Sequence, residues 1–115
     1  IASIYGAEAE IEYKDFTSPL INPVDTTKEV AIVAKRLLGE VNVITNRPYS
    51  LGGDDFAEFN LRVPGTYVYV GSGNENNPNT MVEHHDGLFE IDEDCLLIAS
   101  RLHVAYALSF LENLI

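Results

Sequence analysis

His84 and His85, adjacent in the stretch HHDGLFEIDED at 84–94, set two imidazoles directly before a helix start. Neutral imidazole is the commonest side-chain ligand for zinc and similar cations near neutral pH. Neighbouring residues point in different directions, so at most one of the pair coordinates and the other is free for a supporting or substrate-contacting role. A protein metal site normally takes about three or four ligands. The chain supplies no obvious set, because His103 is the only other histidine, Cys95 the only cysteine, and neither stands at an HxxxH or CxxC spacing. Two readings stand open on these residues alone. One is a ligand whose partners are scattered carboxylates or lie outside the chain; the other is a histidine that caps or packs beside one that is solvated.

A second group is SLGGDDF at 50–56. Amides exposed at Gly52 and Gly53, with the partial positive end of a following helix, suit a substrate carboxylate or orient Asp54 toward a metal. A glycine turn feeding an acid-capped helix accounts for the same residues. Asp92, Glu93 and Asp94 fall in a first helical turn, where capping explains them, and His103 reads as a partly buried side chain satisfied locally. Glu83, beside His84, is placed to act as general base on a metal-bound water, although a solvated loop position explains it as well. GSGNE at 71–75 lacks the G-x-G-x-x-G spacing, which excludes dinucleotide binding, and no G-x-S-x-G, P-loop or H-E-x-x-H motif occurs.

The elements that must position these groups are those of one domain. At 115 residues and 46% hydrophobic content the chain is long and apolar enough for a core. Its 18 acidic and 7 basic residues give a net charge of −11, which repels phosphate and leaves nucleic acid and anionic membranes poor partners. No stretch reaches the roughly 18 uninterrupted apolar residues of a membrane span. A lone cysteine forms no intrachain disulfide, and the simpler setting is reducing and cytoplasmic. The chain opens IASIYGAEAE, with neither an initiator Met nor a basic signal region, and this predicts a fragment.

AEAEIEYK at 7–14 alternates apolar and polar residues, predicting a half-buried strand with an acidic solvent face. DFTSPLINP at 15–23 carries two prolines and reads as a linker or crossover. A helix follows, capped at Asp25 or Thr26, with Thr26 and Glu29 as a capping box and Gly39 as its stop. Short strands are predicted at 41–45 and 66–70, with a helix at about 53–60 whose Phe56 and Phe59 share a face. GSGNENNPNT at 71–80 reads as a polar loop of the kind that carries function. Asp92 caps a final apolar helix running to about Asn113, so the fold class is α/β.

The order of these motifs resembles the C-terminal end of the metal-dependent N-acyl-amino-acid amidohydrolases. That family includes aminoacylases, hippurate hydrolases, indoleacetyl-amino-acid hydrolases and carboxypeptidase G-like peptidases. Its pattern runs G-S-E-D-F, V-P-G, an apolar strand ending L-G-x-G, and H-S-P-x-F-x-I-D-E-x-x-L. Here GGDDF, VPGTYVYVGSG and HDGLFEIDEDCL stand in the same order, and the resemblance spans about residues 48–112. It implies a zinc-peptidase-like catalytic segment at 19–115, a mixed sheet flanked by helices. Residues 1–18 would be the last strand of an inserted α+β lid or dimerisation domain.

By the same resemblance His85, in preference to His84, matches the family's last metal ligand, while the other ligands and the general-base Glu lie upstream of this chain. Gly52, Gly53 and Asp54 would line the site, and no catalytic residue lies in the chain. The resemblance implies one or two Zn or Mn ions and a metal-activated water. It implies a substrate that is an N-acyl amino acid or small peptide, packing against the remainder of the same polypeptide, and a homodimer through the lid domain. Two departures stand out: GGDDF shortens the first acid by a methylene, and Asp86-Gly87 removes a rigid proline beside the ligand. The competing readings are a small acidic α/β binding domain and a noncatalytic relative of the family.

Overall fold

The structure, a computed structural model, describes residues 1–112. Its framework is two long helices. The first, α1 (Val24–Leu38), begins three residues earlier than a Thr26 cap would place it. Pro23 stands at its N-cap with an extended backbone, and its carbonyl accepts the Thr27 N–H and the Thr26 and Thr27 hydroxyls. Proline's fixed φ is thus used in place of the capping box. The helix stops where predicted, at Gly39, whose φ of 85° is cheap only for glycine. A short helix, α2 (Phe56–Asn60), follows a long irregular stretch. The second long helix, α3 (Asp94–Glu112), starts after Asp92, whose carboxylate accepts the Asp94 N–H at 3.0 Å. The predicted last residue, Asn113, lies outside the described residues.

The mixed sheet is not formed. Among the described residues there is no strand, and the only β pairing is an isolated antiparallel bridge between Asn74 and Asn77. Residues 7–14 carry the alternation of a strand, yet Ile11 and Tyr13 are 70% and 88% exposed and neither face is covered. At 41–45 a 3-10 turn, Glu40–Asn42, takes up part of the predicted strand. At 66–70 the backbone has a side chain for a neighbour: the Asn22 amide donates to the Tyr67 carbonyl and accepts its N–H, at 2.9 and 2.8 Å. Alternation describes one segment, whereas a strand is defined by a second one beside it. The α/β assignment, and with it the last strand of a lid domain, is therefore corrected to a helical chain joined by extended segments.

Helix α1 packs on α3 through Val33, Ala34 and Leu102, with Leu37, Val43, Ala105 and Tyr106 against them. The Tyr106 hydroxyl donates to Glu29 across the same contact, at 3.2 Å. A second cluster is aromatic: Phe56 meets Phe59 at 6.3 Å on one face of α2, as predicted, and Tyr67 at 5.6 Å. Little else is covered. The chain exposes 10195 Å², against roughly 6,200 Å² for a compact monomer of its mass. Its radius of gyration is 19.6 Å, against about 13 Å for a compact domain of this length. Leu96, Leu97, Val104, Leu108 and Leu111 on α3 all face solvent.

By length and composition α3 is sufficient to cross a membrane. Arg101 and His103 sit at its middle, however, and an arginine there costs roughly 2.5–3.5 kcal/mol on insertion scales. A protein surface is the cheaper cover for this helix.

Candidate metal-ligand turn and its brace

The two histidines take different roles, as adjacent side chains must. The Glu83 carbonyl accepts the Asp86 N–H, the Asp86 carbonyl accepts the Phe89 N–H, and the Asp86 carboxylate accepts the Leu88 N–H at 2.8 Å. This tight turn places His85 at φ 72°, the only non-glycine residue with positive φ among those described. Histidine tolerates the left-handed region better than most side chains, but such a conformation costs of order 1–3 kcal/mol and persists only where surroundings impose it. The His84 ring packs against Phe89, 4.7 Å between centroids. The His85 imidazole has no hydrogen bond, ion pair or ring contact among the described residues and is exposed.

His85 therefore presents an unengaged donor. Among the described residues no group of three or more His, Cys, Asp or Glu side chains is gathered to hold an ion. One imidazole cannot replace the about three or four ligands a divalent cation takes. The donor chemistry of this imidazole fits a metal, but the described residues around it supply no ligand set to complete a site. His103 is exposed, not partly buried, and its Nδ1 pairs with the Ala99 carbonyl at 2.9 Å on its own helix.

The loop at 71–80 has a structural task that its composition did not reveal. Backbone bonds tie it to the segment after the histidine turn: Asp92 N–H to Ser72 O at 2.9 Å, and Glu90 N–H to Asn79 O at 3.1 Å. Side chains add to this: Asn74 Nδ2 donates to Asp92 at 2.6 Å, and Asn77 and Asn79 both donate to Glu90. At the centre is Thr80, the one buried polar side chain among the described residues. Its hydroxyl accepts the Asn74 N–H at 2.7 Å and lies 2.8 Å from the Asn77 carbonyl and 3.1 Å from that of Asn74. The available signal was Asn77-Pro78, a turn-starting dipeptide, and the Asn77 side chain does cap the 3-10 turn Pro78–Met81.

These bonds set a pH dependence. Hydrogen bonds from Asn77 and then Asn79 lower the Glu90 pKa, and the Ser18 amide does the same for Glu58. A carboxyl depressed in the folded state contributes stability above its unfolded pKa, lost as pH falls through the folded value. Tyr67 is raised, first by its bond to Asp54, and Tyr106, first by burial. Their contribution is present below the ordinary tyrosine pKa and lost as pH rises through the folded value. A urea-denaturation series should show a plateau at neutral pH that falls below about pH 4.5 and above about pH 10; stability still rising below pH 4 would contradict it.

The GGDD turn is ordered differently from its prediction. Helix α2 begins at Phe56, and Gly52 and Gly53 lie before it, outside any regular element. The Gly52 N–H is occupied by Ser50 Oγ at 3.1 Å, whereas the Gly53 N–H has no partner among the described residues. Both Asp54 oxygens are engaged, Oδ1 by the Phe56 N–H at 2.7 Å and Oδ2 by the Tyr67 hydroxyl at 3.0 Å. Tyr67 in turn meets Tyr69 edge-on, and the Arg47 guanidinium lies 4.1 Å above the Tyr69 ring. Asp54 is thus held as an anchor of the aromatic cluster. No hydrogen bond, ion pair or ring contact joins this turn to the histidine turn among the described residues.

Comparison with known proteins places these features in context. Residues 4–109 match peptidase family M20/M25/M40. Thermostable carboxypeptidase 1 of Saccharolobus solfataricus is 30% identical over 111 residues, covering 96% of this chain and 27% of that protein. N-acetylcysteine deacetylase of Bacillus subtilis is 32% identical over 114 residues, covering 99% and 28%. An IAA-amino acid hydrolase of Arabidopsis thaliana, ILR1-like 2, is 29% identical over 95 residues, covering 83% and 21%. The chain thus spans about a quarter of the length of the curated relatives it matches. No solved structure matches it.

Proposed function

The chain belongs to peptidase family M20/M25/M40, and from that membership we propose that it is part of a hydrolase of N-acyl amino acids or small peptides in which His85 is one metal ligand. The relatives are peptidases and amidohydrolases, and members of the family generally depend on metal. That enzymatic context argues against an autonomous binding module. The single observation that carries the site assignment is His85 itself: an exposed, unengaged imidazole held in a left-handed conformation, while its neighbour packs on Phe89.

When bound, one or two Zn or Mn ions would polarise the scissile carbonyl and lower the pKa of a water. This chain's contribution is to hold one nitrogen donor in place. The remaining ligands and a general-base Glu belong to the rest of the polypeptide. Residues 19–115 belong with the metal-holding domain and residues 1–18 with a lid through which two copies pair. Cys95 is a free thiol, which fits a reducing cytoplasmic setting.

Chelation tests the metal reading. The complete protein should lose hydrolysis of N-acyl amino acids on metal removal and regain it with Zn or Mn. Full turnover after exhaustive dialysis against chelator sinks the proposal.

Gly52, Gly53 and Asp54 line the substrate side, and the unpaired Gly53 amide suits a substrate carboxylate or the tetrahedral oxyanion. Gly53 has no positive φ, and an added Cβ would meet only Thr17 Cγ2, at 3.8 Å. Gly53→Ala in the complete enzyme should therefore fold normally and still impair KM or kcat by crowding the amide. Unchanged values of both would remove the glycine from the site.

A further inference from the structure

The turn that carries His85 is strained, and strain of that kind persists only when something outside it holds the ends. The segment leaving the turn, Glu90 to Asp92, is held from the other side by the loop at 72–80. Two backbone bonds, Asp92 N–H to Ser72 O and Glu90 N–H to Asn79 O, fix its path. Asn77 and Asn79 grip the Glu90 carboxylate, and Asn74 grips Asp92. Two of these loop residues, Asn74 and Asn77, are set by the Thr80 hydroxyl, which meets the Asn74 N–H and the carbonyls of Asn74 and Asn77 from a position only 6% exposed. The proline that would stiffen the turn in the resembling pattern is absent, since Asp86-Gly87 stands there.

We propose that Thr80, through the Asn74, Asn77 and Glu90 contacts it organises, is a positioning residue for His85, holding the turn so that the imidazole is already aimed when a divalent metal arrives. This rests on the reading of His85 as a ligand. Removing an outer support of a metal ligand typically weakens metal binding about 10–100-fold, because the free site must then be ordered at the moment of binding.

The test is zinc affinity, measured by competition with a chromophoric chelator on the metal-free complete protein. Thr80→Val keeps the shape and removes the hydroxyl, and should weaken zinc by about 10–100-fold, while Thr80→Ser should restore the parent affinity. A role confined to stability would lower the melting temperature of the metal-free protein and leave zinc affinity alone. Parent-like affinity in Thr80→Val overturns the proposal. Should that variant fail to fold, Glu90→Ala carries the same readings, because the Glu90 side chain is exposed. His85→Ala separates the two ideas. If it loses zinc while folded Thr80→Val keeps it, only the positioning role fails; if it keeps zinc, the ligand reading fails with it.

Discussion

His85→Ala in the complete protein should strip metal and abolish hydrolysis together, and we expect the largest functional loss of any single change in this chain. The imidazole is exposed and makes no hydrogen bond, ion pair or ring contact among the described residues, so its removal should disturb packing little. It also relieves none of the backbone strain at φ 72°, since alanine keeps a Cβ. Stability should stay within about 0.5 kcal/mol of the parent, as for other exposed positions. Turnover should fall by several orders of magnitude, as expected when a Lewis acid and its activated water are lost. His84→Ala is the contrast: it removes a ring from Phe89, lowers stability modestly, and leaves bound metal in place. Equal effects of the two substitutions on metal content would erase the distinction between the histidines.

That distinction was partly legible in the residues. Adjacency alone dictated that the pair diverge, and the resemblance favoured His85, but which imidazole packs and which stays free depends on a turn closed by Asp86. The long helices were legible because their signals are local: Gly39 stops α1, and Asp92 precedes α3. The strand pattern misleads for the opposite reason. Ala7, Ala9, Ile11 and Tyr13 alternate with acids, yet pairing requires a second segment, and Tyr67 shows an asparagine side chain satisfying both backbone groups that a neighbour would have taken. The GGDD turn was read as a helix start because glycine before acid is a common entry signal. The Asp54 bond to the Phe56 N–H is local and agrees with that reading, whereas the bond to the Tyr67 hydroxyl is a tertiary matter. Thr80 leaves no mark in the sequence, because a threonine in a polar loop carries no periodicity that signals burial.

Leu102→Ala should have the largest effect on stability. Leu102 is the one buried residue of α3, and with Val33 and Ala34 it forms the contact between the long helices. Truncating a buried leucine costs about 2–5 kcal/mol, a large share of the about 5–15 kcal/mol that holds an ordinary domain. Here the core is smaller than ordinary, with five buried apolar residues among those described. In the 115-residue chain Leu102→Ala should abolish the cooperative thermal transition of helical circular dichroism. Leu97→Ala, on the same helix but 65% exposed, should leave that transition within a few degrees, as surface changes worth under about 0.5 kcal/mol do. Matching losses from the two would mean that α1 and α3 do not pack through this seam. In the complete protein Leu97→Ala should become costly, because exposed leucines on α3 are the surface that the rest of the polypeptide would cover.

The central claim is that His85 is a metal ligand, and the most direct measurement is an anomalous-scattering crystal structure of the complete protein grown with zinc. The account predicts an anomalous peak about 2.0–2.1 Å from a ring nitrogen of His85, with the His84 ring turned away against Phe89. A zinc peak coordinated wholly by other residues, with His85 in solvent, would contradict it.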